Sequence, residues 1–120
     1  MQQPECRNRD ITIQPQSGRV RVLLDGHEVV SSGETLGLTE GGYPTVYYFP
    51  RSVLDVLKTE SSDHQTYCPF KGYASYLHLR DADGAWEKNA IWYYADPCPL
   101  VEQIRDHVAF WGDRVRVLAD

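Results

Sequence analysis

Short segments that alternate apolar and polar residues, separated by turn-forming pairs, recur along most of this chain. In residues 19–24, apolar side chains fall on one face of an extended segment and arginines fall on the other. A period of two residues is typical of a strand with one buried face. Asp25-Gly26 follows directly and is a strong hairpin signal, so the next residues, 28–31, are predicted to form the return strand.

The same pattern predicts several more strands and two short helices. A capping-box spacing between Ser52 and Asp55 predicts a helix over residues 53–58, and Asp96-Pro97 opens a second helix that ends near residue 106. Residues 61–63 are predicted to break the pattern after the first helix. The second helix is expected to turn Leu100, Val101 and Ile104 inward. The remaining predicted strands cover residues 35–39, 45–49, 73–80, 86–94, 108–111 and 114–118.

Many short strands with two short helices predict a mainly β fold. We expect a compact antiparallel barrel or a bent pair of sheets. The strands do not alternate regularly with helices, which disfavours a parallel sheet. The 120 residues suit one domain, with residues 1–17 as a flexible N-terminal arm and residues 18–120 as a single β-rich domain.

The charge of the chain narrows the partners that we expect. The formal net charge is -5 and the isoelectric point is about 5.3, so nucleic acid is not an expected partner, because phosphate contacts need clustered Lys and Arg. No apolar run approaches the roughly 20 residues of a membrane span, and residues 1–10 lack the apolar stretch of a secretory signal. We therefore expect a soluble cytoplasmic protein that does not bind membranes.

The three cysteines, Cys6, Cys68 and Cys98, have an odd count and no short repeated spacing. This pattern is not a disulfide framework, and the thiols fit a reducing compartment. No CxxC pair is present, so a structural zinc site is not expected. His64 and His78 have no HExxH context, and neither a metal nor a cofactor is predicted.

The run YCPFKG at residues 67–72 places a thiol and an amine at a Pro/Gly turn. The ammonium group of Lys71 can stabilise a thiolate at Cys68, which makes Cys68 a candidate catalytic residue. The alternative is a buried cysteine that packs as a small hydrophobe. Lys71 is also a candidate contact for phosphate or carboxylate, against the alternative of an ordinary surface lysine.

Arg51 and three aromatic residues complete the candidate site. Arg51 follows a predicted strand and Pro50, where a guanidinium can fork onto a carboxylate or phosphate; the alternative is an intramolecular ion pair. Tyr76, Trp92 and Tyr94 can share one sheet face and form a stacking platform, or they form an ordinary aromatic core layer. GxSxG, GxGxxG and P-loop motifs are absent from the sequence.

Several stretches together resemble a known family. They are YYFPR at residues 47–51, YCPFKG at 67–72 with Tyr76, AIWYY at 90–94 with Asp96-Pro97, and VAFW at 108–111. The chain resembles the small, mostly bacterial family catalogued as domain of unknown function 427, also labelled nucleotidyltransferase-like.

The resemblance implies a β-tent fold, in which two bent sheets meet at an angle. Relatives of that fold often hold zinc through two CxxC pairs, which this chain lacks. Some hold a flat small molecule in an aromatic cage, which by analogy would be Tyr76, Trp92 and Tyr94. A nucleotidyltransferase needs paired carboxylates for Mg²⁺ beside a Gly-Ser loop. Asp81 and Asp83 have DxD spacing but fall in a predicted turn.

The sequence thus predicts a small-molecule binding domain. Its pocket would take a small anionic or flat ligand through Arg51, Lys71, Tyr76, Trp92 and Tyr94, next to Cys68. One alternative is an enzyme that uses Cys68 as nucleophile or redox thiol, with His64 as the nearest candidate base. Another is a structural or protein-interaction module.

Overall fold

A computed structural model of the chain describes residues 6–120, and the described part contains ten strands and two short 3₁₀ helices. The helices are Arg51–Val56 and Pro99–Ile104. The strands are β1 (Ile11–Pro15), β2 (Val20–Leu24), β3 (His27–Ser32), β4 (Leu36–Glu40), β5 (Val46–Pro50), β6 (Lys58–Cys68), β7 (Gly72–Arg80), β8 (Trp86–Tyr93), β9 (His107–Phe110) and β10 (Val115–Ala119).

The strands form two antiparallel sheets. The large sheet has the order β1-β4-β5-β9-β8-β7-β6, and the small sheet has the order β10-β2-β3. Within residues 6–120 neither sheet closes into a barrel, since the order of each ends in two edge strands. The prediction of a mainly β fold with two bent antiparallel sheets and two short helices is confirmed.

Alternation along the central strands sends neighbouring residues to opposite faces of the large sheet. One face packs against the small sheet, and we call this region the inter-sheet core. The small sheet contributes Val20, Val22, Leu24 and Val30, all 5% exposed or less. The large sheet contributes Phe49, Leu77, Leu79, Ile91, Val108 and Phe110.

The opposite face of the large sheet, which we call the outer face, carries a second apolar cluster. The second 3₁₀ helix covers part of it with Val101 and Ile104, which are almost fully buried. Partly buried aromatic residues extend the cluster beyond that helix. The buried members from the strands and loops are Leu38, Tyr48, Ala74, Tyr94 and Ala109.

The helices differ from their predictions in type and in detail. The first begins at Arg51 after Pro50, with no side-chain cap, so the predicted capping box of Ser52 and Asp55 is wrong. Leu100 is 37% exposed, which corrects its predicted inward position. Both are six-residue 3₁₀ helices, in which backbone N–H groups bond three residues back, as Leu57 N does to Leu54 O and Arg105 N to Glu102 O. In the described part of the chain, no helix is long and apolar enough to span a bilayer.

Two predicted irregular segments are strands. Residues 61–63 do not end the pattern, because β6 continues through them with a register shift between Ser61 and Gln65. Part of the predicted arm forms β1, which pairs with β4 while Ile11 and Ile13 pack on the outer-face cluster. Residues 1–5 of that arm lie outside the described residues.

The prediction that the cysteines do not form disulfides is wrong for two of the three. Cys6 and Cys98 form a disulfide across 92 positions of sequence, and Cys68 is the cysteine left as a thiol. The spacing gave no signal, because the pairing depends on β1 bringing the N-terminal residues against the loop before the second helix. A disulfide does not fit the argument from a reducing compartment, and cytoplasmic localisation stays a prediction.

Candidate ligand-binding cleft

A cleft of about 580 Å³ opens on the outer face of the large sheet. This volume lies within the range of roughly 300–1,000 Å³ that is usual for small-molecule sites. The cleft has an aromatic floor, with Glu40 and Lys71 at one end and Lys88 and Asn89 at the other. Of the predicted binding residues, Lys71, Tyr76, Trp92 and Tyr94 line it.

The aromatic floor follows from the register of β7 and β8. Tyr76 and Trp92 are direct partners across this strand pair, and Tyr94 lies two positions further along on the same face. Trp92 Nε1 donates to the hydroxyl of Tyr48 at 3.4 Å, and their two rings are nearly perpendicular, at 86°. Tyr76, Trp92 and Tyr94 therefore share one face of the sheet, as alternation predicts. They pack in the outer-face cluster and also line the cleft.

The buried tyrosines of the floor are neutral at physiological pH. Burial raises the pKa of Tyr48 far above the ordinary value of 10.0, and the hydrogen bond from Trp92 only partly opposes this. Burial likewise raises the pKa of Tyr94 far above its ordinary value. A neutral phenol keeps its proton, so each hydroxyl retains the capacity both to donate and to accept a hydrogen bond.

At one end of the cleft, Lys71 forms a close ion pair. Its Nζ lies 2.6 Å from Glu40 Oε1, and the two side chains are only 12% and 16% exposed. Cys68 Sγ lies 3.8 Å from the same Nζ. Arg9 NH1 approaches the second oxygen of Glu40, Oε2, at 3.2 Å. Glu40 therefore holds two cations together, and Lys71 is enclosed rather than free in solvent.

The turn that presents Lys71 is fixed from both sides. Lys71 N donates to Cys68 O at 3.2 Å, and Cys98 N donates to Lys71 O at 2.9 Å. Gly72 has φ of 111°, a conformation that residues with a side chain rarely adopt. The Pro/Gly motif thus sets the backbone path that aims Lys71 along the outer face.

At the other end, Asn89 distorts β8. Its φ is 55°, and the β7–β8 register shifts between Leu77 and Leu79. Its N–H donates to His78 Nδ1 at 3.0 Å, and Ser62 Oγ donates to its Oδ1 at 2.5 Å. Because of the bulge, two successive residues, Lys88 and Asn89, both line the cleft.

Arg51 is not part of the cleft. Its guanidinium lies over the ring of Tyr93, 5.3 Å from the ring centroid. Tyr93 packs on the inter-sheet core, whereas its neighbours Trp92 and Tyr94 belong to the outer face. Arg51 therefore sits on the opposite side of the sheet from Lys71, which sequence could not reveal without the strand order.

In the described part of the chain, Cys68 has the ammonium group of Lys71 beside it, but it has no histidine partner. His64 lines the cleft, but its ring packs on the ring of Tyr76 at 4.6 Å between centroids. Among the hydrogen bonds of residues 6–120, none joins a histidine to Cys68. The same residues contain no group of three or more His, Cys, Asp or Glu side chains that could hold a metal ion.

Several lining residues are not predicted by the sequence pattern. Lys88 carried a usable signal, since it has the same parity along β8 as Trp92 and Tyr94. Glu40 and Trp111 carried none, because they reach the cleft from β4 and from the loop after β9, and only the sheet order places them there. Arg9 does not line the cleft but pairs with Glu40, and it falls in the predicted arm.

One comparison with known proteins gives a family. The family model described as domain of unknown function DUF427 matches residues 12–120. The chain belongs to the DUF427 family. The match covers the turn of Lys71 and the aromatic floor, which agrees with the resemblance noted in the sequence, and the description of DUF427 assigns no activity. A search of curated proteins found no match.

Proposed function

We propose that this DUF427 domain binds a small, flat, anionic molecule in the cleft. The aromatic part of the molecule would stack against Trp92 and Tyr76, and its anionic group would contact Lys88. The observation that carries the proposal is a positively charged, aromatic-floored cleft on an acidic protein.

The charge balance of the cleft differs from that of the whole chain. The formal net charge of the chain is -5, yet two of its three lysines, Lys71 and Lys88, line the cleft. Glu40 is the carboxylate that lines it, and Arg9 also contacts Glu40. A concave site with excess positive charge attracts small anions.

The two lysines have different tasks in this proposal. Lys71 is already paired with Glu40 at 2.6 Å, so the pair is suited to orient a polar group through one donor and one acceptor. Lys88 forms no salt bridge to the described residues, and it lies beside the amide of Asn89. Lys88 is therefore the primary contact for a carboxylate or phosphate.

The floor favours a planar partner over a flexible one. Trp92 and Tyr76 are partly buried, so each keeps ring surface that a ligand can cover. Burying such surface contributes roughly 25 cal/mol per Å², and stacked rings add to it. The neutral hydroxyls of Tyr48 and Tyr94 supply hydrogen bonds at the edge of the stacked ring.

Calorimetry with matched probes tests this proposal. One series is adenosine 5′-monophosphate, adenosine and ribose 5-phosphate; the other is indole-3-carboxylate and its carboxamide. We expect at least one flat anion to bind, and its neutral counterpart and ribose 5-phosphate to bind at least tenfold more weakly. Lys88→Ala should weaken the binding about tenfold, or about 1.4 kcal/mol.

Lys58→Ala is the matched control, because Lys58 lies in β6 opposite Arg80 and does not line the cleft. Equal affinity in the Lys58 and Lys88 variants would contradict the proposed anion contact. Equal binding of the charged and neutral probes would contradict the preference for anions.

A thiol-based activity is the second candidate, and the contact between Cys68 Sγ and Lys71 Nζ at 3.8 Å favours it. An adjacent ammonium group stabilises the thiolate, which is the reactive form. Iodoacetamide should then label Cys68 in the folded protein, and more slowly in Lys71→Ala. Labelling that occurs only after denaturation would leave Cys68 a packing residue.

A further inference from the structure

Residues 6–10, which we call the N-terminal segment, pack beside the Lys71 end of the cleft, against Pro69 and Glu40. Arg9 makes the contacts that matter there. Its guanidinium pairs with Glu40 at 3.2 Å and lies over the rings of Phe70 and Tyr43, at 4.9 and 5.9 Å from their centroids. Glu40 and Tyr43 both line the cleft. The segment does not itself line the cleft, but through Arg9 it contacts two residues that do, Glu40 and Tyr43.

The anchor of this segment is the disulfide. Residues 6–10 are exposed and belong to no strand. A backbone hydrogen bond from Arg7 N to Pro69 O, at 2.8 Å, joins them to the turn of Lys71. Cys6 joins the segment covalently to Cys98, which is 1% exposed. Cys98 N in turn donates to Lys71 O at 2.9 Å. The disulfide thus ties the segment to the backbone that carries Lys71.

We propose that the Cys6–Cys98 disulfide is a redox-sensitive clasp that sets the affinity of the cleft for anions. In the oxidised protein Arg9 is held against Glu40, so that Glu40 offsets less of the positive charge of Lys71. Reduction releases the segment, Arg9 leaves Glu40, and the positive balance of the cleft falls. The oxidised form is therefore the tighter binder of anions, an inference that rests on the proposed function.

The chemistry of release is thiol–disulfide exchange with a dithiol reductant. A thiolate of the reductant attacks the sulfur of Cys6, which is the exposed partner, and the S–S bond breaks with Cys98 as the leaving thiolate. The second thiol of the reductant then attacks the mixed disulfide. Cys6 and Cys98 end as thiols after gaining two electrons and two protons, and the reductant ends as a disulfide.

Limited proteolysis tests the clasp without any ligand. Trypsin cleavage between Arg7 and Asn8 is followed by mass spectrometry in the oxidised protein and after treatment with dithiothreitol. We expect cleavage at least tenfold faster in the reduced protein, and equally fast without reductant in the Cys6→Ser/Cys98→Ser variant. Cleavage after Arg116 in β10 is the internal control and should not change. Equal rates at Arg7 in both states would overturn the clasp.

The affinity for anionic probes tests whether the disulfide clasp controls binding in the cleft. Adenosine 5′-monophosphate and indole-3-carboxylate are titrated into the oxidised and reduced protein, and we expect binding about fivefold weaker after reduction. Arg9→Ala in the oxidised protein should reproduce that loss. Equal affinity in both states would overturn the link. If proteolysis responds to redox state but neither probe binds, the clasp stands and the proposed function fails.

Discussion

The two faces of the large sheet are built from the same strands but have opposite characters. On β8, Ile91 is fully buried in the inter-sheet core, whereas its neighbour Trp92 is partly exposed on the outer face. The inter-sheet core is dominated by aliphatic and phenylalanine side chains, whereas the cleft on the outer face is lined mostly by tyrosine, tryptophan and lysine. Residues of one parity are therefore buried between the sheets, whereas some residues of the other parity, such as Trp92, keep surface that is available for binding.

The largest effect on stability should come from the inter-sheet core. Ile91→Ala leaves a cavity between two sheets that cannot easily collapse, so we expect the free energy of unfolding to fall by about 3 kcal/mol. Urea denaturation measures this change, and Ile91→Val should cost only about 1 kcal/mol. A loss below about 1 kcal/mol for the alanine variant would show that the two sheets close over the gap.

A smaller loss of stability is expected on the outer face. Trp92 is partly exposed, and the space left by Trp92→Ala opens to solvent in the cleft, so the free energy of unfolding should fall by about 1–2 kcal/mol. The same variant should lose stacking affinity for any flat probe that binds the wild type. Urea denaturation and calorimetry measure the two effects. A stability loss larger than that of Ile91→Ala would reverse the contrast between the faces.

The smallest expected effect is a loss of stability at alkaline pH, to which the ionisation of Tyr48 contributes. Burial raises the pKa of Tyr48 in the folded state above 10.0, its ordinary value and the one expected in the unfolded chain. The unfolded chain therefore releases this proton first, so stability is fully present below pH 10 and is lost as pH rises above it. Tyr48→Phe should flatten that alkaline loss while changing stability at pH 7 by at most about 1 kcal/mol. Urea denaturation from pH 7 to 11 checks this, and parallel curves would contradict it.

The strands that could be predicted are those whose pattern is local. Alternation in residues 19–24 and 73–80 contains enough periods to stand out, and the Asp25-Gly26 hairpin follows from its turn residues. β1 was missed because Ile11 and Ile13 give too short an alternation, and the strand depends on pairing with β4. The continuation of β6 was missed because Ser and Asp normally end strands, whereas here a bulge absorbs them.

The candidate site likewise has local features that the sequence predicts and long-range features that it does not. The Lys71 turn and the parity of Trp92 and Tyr94 could be read from the sequence. The separation of Arg51 from Lys71 could not, because it depends on which face of the sheet the chain follows after β5. The disulfide depends on a contact between segments 92 positions apart, which no spacing records.

Because the large sheet does not close, one of its edges is the eleven-residue strand β6. A long unpaired edge invites another chain to add a strand, and such growth leads to aggregation. Here the edge strand carries the charges of Lys58, Glu60 and Asp63, and its pairing with β7 shifts register between Ser61 and Gln65, which makes the strand irregular. Residues 61–63, which were predicted to end the strand pattern, thus lie in the irregular part of β6 that makes strand addition at this open edge less favourable.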